Sequence, residues 1–208
     1  MEPGDRQPTS TQAIPSDVVL ASVATYSDRP QEFADFSANA VAGPFARFAA
    51  LLQPGSRVLD AGCGPGRDLV RLTERGHKGI GIDLNMDFAR MARTHASTVR
   101  GDLRRLPFAP RTFDAIWASA SLIHLPPEDA ALALRELARV ARPGAQLCAS
   151  VRIIGATGWA EDVPHGRRWF CIWSPAAFRS AVESAGFLVE RETADEEWID
   201  VGARASAH

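Results

Sequence analysis

Hydrophobic positions along the chain change their period several times, and each change predicts an element. From Val18 to Leu52 the apolar residues recur at helical spacing, with Phe33, Phe36, Ala40, Val41, Phe45, Phe48, Leu51 and Leu52 on that period. Ser27-Asp28-Arg29-Pro30 interrupts the run, Gly43-Pro44 is expected to split it again, and Pro54-Gly55 closes it. Beyond residue 56 short apolar runs alternate with amphipathic stretches. The runs predict strands over 57–60, 78–83, 98–102, 113–118 and 146–151. Between them, helices are expected over 68–74, from a cap at Asn85 to about Arg93, and from Pro126-Pro127-Glu128-Asp129 to the stop at Arg142-Pro143-Gly144. Ser174-Pro175 opens a last helix that ends at Gly186. Two further strands, 187–190 and 198–201, are joined by a connection too short for a crossover helix, so they should pair antiparallel.

Strand–helix alternation with short loops predicts an α/β fold of three layers, a mostly parallel sheet covered on both faces. Ligands on such sheets bind at the carboxyl ends of the strands, where the strand order reverses. Asp60, Asp83, Asp102 and Ala118 all fall at such ends. The first strand runs into Asp60-Ala61-Gly62-Cys63-Gly64-Pro65-Gly66. Three alternating glycines between a strand and a helix permit positive φ and leave main chain bare for a ligand. The spacing does not suit a pyrophosphate: a dinucleotide fingerprint needs glycine at position 67, which is Arg67, and no Gly-Lys-Ser/Thr follows.

The segment Val58-Leu59-Asp60-Ala61-Gly62-Cys63-Gly64-Pro65-Gly66 resembles the first motif of the class I, Rossmann-like, S-adenosylmethionine (SAM)-dependent methyltransferases. Gly81-Ile82-Asp83-Leu84, Gly101-Asp102-Leu103 and Phe113-Asp114-Ala115-Ile116-Trp117-Ala118 extend the likeness, which runs from about Tyr26 to the end of the chain. The resemblance implies a Rossmann-like sandwich with a seven-stranded sheet whose C-terminal strand is antiparallel. It implies SAM as cofactor and S-adenosylhomocysteine as product. Asp60 and Gly62, within the loop that also holds Gly64 and Gly66, would line the methionine part. Asp83 would accept from both ribose hydroxyls, as a carboxylate can. Asp102 and the Leu103 backbone would read the adenine, with Leu84 and Met86 packed on it. Tyr26 would close over the cofactor from the N-terminal lid, and Ala118 would end the fourth strand beside it.

Methyl transfer is an in-line displacement at an activated methyl, so alignment and exclusion of water carry most of the catalysis. Candidate bases are His124, after the fourth strand, and His165, in the loop after the fifth. The acceptor pocket should draw on the N-terminal helices, on residues 119–124 and on 151–173. That last stretch concentrates Arg152, Trp159, Arg167, Arg168, Trp169, Phe170 and Trp173, and its arginines suit an acidic small molecule. No Asn/Asp-Pro-Pro-aromatic motif follows the fourth strand, a departure from methyltransferases that act on amino groups of nucleic acids. The expected function is therefore methylation of a small metabolite or natural product. The alternatives are a SAM-binding enzyme running a non-methylating reaction such as cyclisation, and an NAD(P)-dependent oxidoreductase.

Composition narrows the setting. The 208 residues, 46% hydrophobic and 23% charged, suit one globular domain. The expected organisation is a disordered tail over 1–17, a helical lid over 18–55 and the SAM-binding domain over 56–208. A net charge of -2, a pI near 6.2 and the lack of a Lys/Arg run give no footprint for nucleic acid. Cys63, Cys148 and Cys171 form no metal-ligand pattern and read as free thiols, so no metal is expected. With no signal-peptide pattern and no membrane-length apolar run, the expected location is the cytoplasm, as a monomer or homodimer.

Overall fold

The chain opens with three short helices, α1 (Val18–Ser27), α2 (Pro30–Ser37) and α3 (Ala42–Ala49), in a computed structural model that describes residues 18–38, 40–162 and 166–206. The expected tail over 1–17 and the candidate base His165 lie outside the described residues. Pro30 occupies the first turn of α2, where its missing N–H costs nothing. The same rule corrects an expectation: Gly43-Pro44 does not split a helix but sits in the first turn of α3. The break falls before it, where Val41 takes a left-handed conformation.

Seven strands then form one sheet: β1 (Arg57–Ala61), β2 (Lys78–Asp83), β3 (Ser97–Arg100), β4 (Phe113–Ser119), β5 (Ala141–Arg152), β8 (Phe187–Ala194) and β9 (Trp198–Ala205). Their order is β3-β2-β1-β4-β5-β9-β8. β1 pairs in parallel with both β2 and β4, so the chain reverses its direction of travel at β1 and opens a crevice at the tips of β1 and β4. β9 runs antiparallel between β5 and β8, the expected C-terminal reversal. The helices α4 (Arg67–Glu74), α5 (Met86–Ala92), α6 (Pro127–Val140) and α7 (Pro175–Ser184) cover the faces.

Side chains of the central strands divide between two cores with period two. Leu59, Ile116, Ala118, Leu147 and Ala149 join the core beneath α6 and α7. Val58, Ala115, Trp117 and Cys148 join the core beneath α3 and α4, with Phe45, Phe48, Leu69 and Leu72. Burial on both faces explains why these strands read as continuous apolar runs. α6 keeps Ala130, Ala133, Leu134, Leu137 and Val140 inward, starts at Pro127 with Glu128 and Asp129 in its first turn, and stops before Arg142-Pro143-Gly144 as expected.

One element was not expected. The stretch after β5 forms a hairpin, β6 (Gly158–Asp162) with β7 (Gly166–Phe170), separate from the main sheet. It packs against α1: the Trp169 N–H donates to the buried Ser22 hydroxyl at 2.9 Å and Thr25 Oγ1 donates to the Arg167 carbonyl at 2.9 Å. Among the described residues no helix is long and apolar enough to cross a membrane. The three cysteines are free and buried.

Candidate active site

Three glycines follow β1, and each is required for a different reason. All take positive φ: 78° at Gly62, 54° at Gly64 and 98° at Gly66. A Cβ at Gly62 would lie 2.4 Å from the Ser121 Cβ, so this glycine lets β1 pass the segment after β4. A Cβ at Gly66 would lie 2.9 Å from the Ala92 Cα, so this one seats the start of α4 against the end of α5. A Cβ at Gly64 would meet nothing within 4 Å. Gly64 borders a cavity of about 810 Å³ and offers it bare main chain. Its N–H donates to Asp83 Oδ2 at 2.8 Å, which ties the loop to the tip of β2.

The acids around this loop are unequally compensated. Asp68 is buried but accepts from Arg67, from Arg71 at 2.9 Å and from the Trp117 indole N–H at 2.9 Å. Asp60 is only 3% exposed, and its Oδ2 has no hydrogen-bond partner. Burial, with repulsion from Asp68 added, pushes the Asp60 carboxyl well above the usual carboxylate range. A buried acceptor in that state marks a place where a donor is missing. Asp83 accepts from Gly64 and from the Asn85 N–H at 2.8 Å, and burial raises it to about 6. Each of its oxygens thus accepts one of these N–H groups, and acceptor capacity remains on a cavity-lining group. Asp102 also borders the cavity, but the Arg104 guanidinium clamps both its oxygens, at 3.0 and 2.6 Å. Burial works to raise Asp102, yet the Arg104 hydrogen bonds outweigh it and hold the group below its ordinary value.

A second constellation sits across the cavity. His124 ends a single 3₁₀ turn (Leu122–His124) after β4. Its Nδ1 lies 2.8 Å from the Trp169 carbonyl, which can only accept, so Nδ1 carries the hydrogen. Nε2 is then an acceptor, and the Tyr26 hydroxyl donates to it at 2.8 Å. The Tyr26 oxygen in turn accepts from Arg168 Nη1. Burial lowers His124 to about 4, aided by the Arg168 charge, so the ring is neutral at pH 7. Tyr26 forms a three-ring cluster with Phe33 and Phe88, at centroid distances of 4.9 and 5.3 Å, and those two rings lie 5.2 Å from each other. Asn85 does two jobs: it caps α5 through its Oδ1 and donates from Nδ2 to the Val23 carbonyl of α1 at 2.9 Å.

Most residues expected at the site line this cavity: Tyr26, Asp60, Gly62, Gly64, Asp83, Leu84, Asp102, Leu103 and His124. Gly66, Met86 and Ala118 do not. Gly66 is turned to α5, and Ala118 is enclosed in the core beneath α6 and α7. Where Met86 was expected, Asn85 and Phe88 form the wall. The sequence assigns Phe33, Phe88 and Asn85 no place at the site, and predicts Asn85 only as a helix cap. Only their place on apolar helical faces and at a helix cap could have flagged them.

Comparison with known proteins agrees with the fold and the loop. A family model described as "Methyltransferase domain" matches residues 58–144. The methyltransferase GfsG of Streptomyces halstedii is 35% identical over 152 residues, covering 68% of this chain and 53% of that protein. The chain spans about half the length of the curated relatives it matches. Among solved structures, the 1,6-didemethyltoxoflavin-N1-methyltransferase of Burkholderia thailandensis, with bound 1,6-didemethyltoxoflavin and S-adenosylhomocysteine, aligns with a TM-score of 0.74 at 20% identity. The alignment covers 99% of this chain and 94% of that one. The [4+2]-cyclase SpnF aligns with a TM-score of 0.65 at 20% identity, covering 86% and 83%.

Proposed function

We propose that this chain is a SAM-dependent methyltransferase acting on a small molecule, a reading supported by the methyltransferase-domain model that matches residues 58–144 and by the class I, Rossmann-like order of its sheet. One observation carries the reading: the partnerless Oδ2 of buried Asp60 lies beside bare main chain at Gly64, with Asp83 at the next strand tip. That set fits the adenosyl cofactor. A buried carboxylate without a donor suits its ammonium, an uncovered glycine suits close approach of its chain, and the acceptor capacity left on Asp83 suits its ribose diol. When bound, SAM supplies a methyl group made electrophilic by the positive sulfur.

The residues of the chain bind, orient and exclude water. Asp60 and Gly62 hold the amino-acid end, Asp83 grips the sugar, and Leu84, Leu103 and Phe88 enclose the base beside Asp102. Tyr26, pinned by His124 and Arg168, closes that end from the lid. His124 is a positioning residue in this reading, because its one lone pair is filled by Tyr26 and its ring is neutral. The acceptor enters between the lid helices and the tips of β4 and β5. No nucleic-acid partner is part of the proposal.

Calorimetry with SAM, S-adenosylhomocysteine and NAD tests the cofactor, and transfer of labelled methyl to small acceptors tests the reaction. SAM and S-adenosylhomocysteine are expected to bind and NAD to fail. Tighter binding of NAD would replace the reading with an oxidoreductase. SAM binding without label transfer to any acceptor would favour a non-methylating use of the cofactor. The fold alone leaves that open, since a [4+2]-cyclase shares it.

A further inference from the structure

Building on that methyltransferase reading, we propose that Arg152 anchors a carboxylate of the acceptor, so that the acceptor is a small organic acid. Among the described residues three arginines line the cavity, and two are engaged. Arg67 holds Asp68 and the Ser37 carbonyl, and Arg168 holds the Tyr26 hydroxyl. Arg152, at the C-terminal end of β5, is different. No atom of its guanidinium makes a hydrogen bond or an ion pair among the described residues, and its Nε is buried. It rests beside Phe170, with Cζ 5.8 Å from the ring centroid. Buried guanidinium donors without an acceptor are uncommon and mark a missing partner.

The acids that line the cavity near the end of β5 do not supply that partner: Glu197 is exposed and enters no ion pair among the described residues. Asp195 is folded onto the N–H groups of Glu197 and Trp198, at 2.8 Å each, and Asp200 pairs with Arg47 at 3.5 Å. The cavity is therefore polarised. Its glycine-loop end carries Asp60 and Asp83, which suit a cation, and its β5 end carries an unspent cation. A guanidinium on a rigid strand presents a planar fork that matches both oxygens of a carboxylate.

The test loads the protein with S-adenosylhomocysteine and titrates matched pairs by calorimetry: benzoate and benzamide, cinnamate and cinnamamide, octanoate and octanamide. At least one acid is expected to bind about tenfold or more tighter than its amide, and Arg152→Gln to abolish that preference while keeping S-adenosylhomocysteine affinity. Arg152→Lys, which keeps charge but loses the fork, should retain part of it. The proposal is overturned if no acid outbinds its amide, or if Arg152→Gln keeps the preference. Should Arg152→Gln fail to fold, the wild-type pairs and Arg152→Lys still decide: a lysine variant with undiminished preference also overturns it. Failure of the wild-type protein to bind S-adenosylhomocysteine would instead bring down the methyltransferase reading, and this proposal with it.

Discussion

The two walls of the cavity are made in different ways. The wall formed by β1, the glycine loop and the tip of β2 is assembled from main chain and from residues close in sequence: Gly64 and Asp83, Asp83 and Asn85. The wall formed by α1, the turn at His124 and the hairpin β6–β7 is assembled from side chains far apart. Tyr26 meets His124 across 98 positions and Arg168 across 142. The first wall is fixed by backbone geometry, which tolerates almost no substitution. The second is fixed by a chain of hydrogen bonds that can be cut one at a time. In the proposed reading the first wall holds the cofactor and the second closes over it from the lid side.

The largest effect is expected where backbone decides. Gly62→Ala combines a left-handed conformation with a Cβ 2.4 Å from Ser121, and should destabilise the protein by about 4 kcal/mol in denaturant unfolding. Gly64→Ala has the positive φ but open space, so its cost should stay at about 1–2 kcal/mol, while S-adenosylhomocysteine affinity falls because the methyl enters the site. Equal destabilisation by both variants, with unchanged affinity in Gly64→Ala, would erase the distinction drawn between the glycines.

The same contrast explains what was legible in the sequence. Strand tips, alternating glycines and the cap at Asn85 obey local rules, so the loop and most of the first wall of the cavity can be read from residue order. Ala118 was placed at the right strand end but on the wrong face, because alternation along β4 turns its side chain into the α6–α7 core. Gly66 was read as a ligand glycine and packs on α5 instead. Glycine and charge in β6 and β7 hide their pairing, so the sequence predicts a loop there. The Tyr26–His124–Arg168 chain was invisible because no local rule joins residues so far apart. Tyr26 and His124 were picked separately, and only tertiary contact shows that each fills the other's hydrogen bond.

Acid should affect the two walls in opposite directions. His124 falls from an ordinary 6.5 to about 4 in the folded state. Between those values the unfolded chain binds more protons, so this histidine's contribution of roughly 3 kcal/mol is present above pH 6.5 and lost as pH falls toward 4. Asp83 is raised from 3.8 to about 6, so the folded chain binds more protons in that window and Asp83 favours folding as pH falls. Comparing unfolding curves of the wild type with His124→Gln and with Asp83→Asn separates the shares. The difference curves should slope oppositely between pH 4 and 6, and parallel curves would refute the burial of either group.

Ligand affinity offers a sharper cut at the first wall. In the proposed reading Asp83→Ala removes the carboxylate that accepts from the ribose, and it should weaken SAM binding by about 1–3 kcal/mol in calorimetry. Because the bound form needs the ionised carboxylate, wild-type affinity should also decline as pH drops through 6, and the alanine variant should lose that dependence. Unaltered affinity in the variant would remove Asp83 from the sugar site and leave the cavity without a cofactor end.

The smallest effect tests whether the walls are independent at all. Tyr26→Phe keeps the ring in its cluster with Phe33 and Phe88 but deletes the hydroxyl, leaving the His124 lone pair and one Arg168 donor without it. The expected cost is about 1 kcal/mol of stability, with a several-fold loss of S-adenosylhomocysteine affinity as the lid loosens. Combining Tyr26→Phe with Asp83→Ala measures the coupling. If one wall is backbone and the other a separable side-chain chain, the two losses of affinity should add to within about 0.5 kcal/mol. A larger coupling would mean that lid and sugar site act as one unit. The direct route for it would be the Asn85 bridge, which accepts from the N-terminus of α5 and donates to α1.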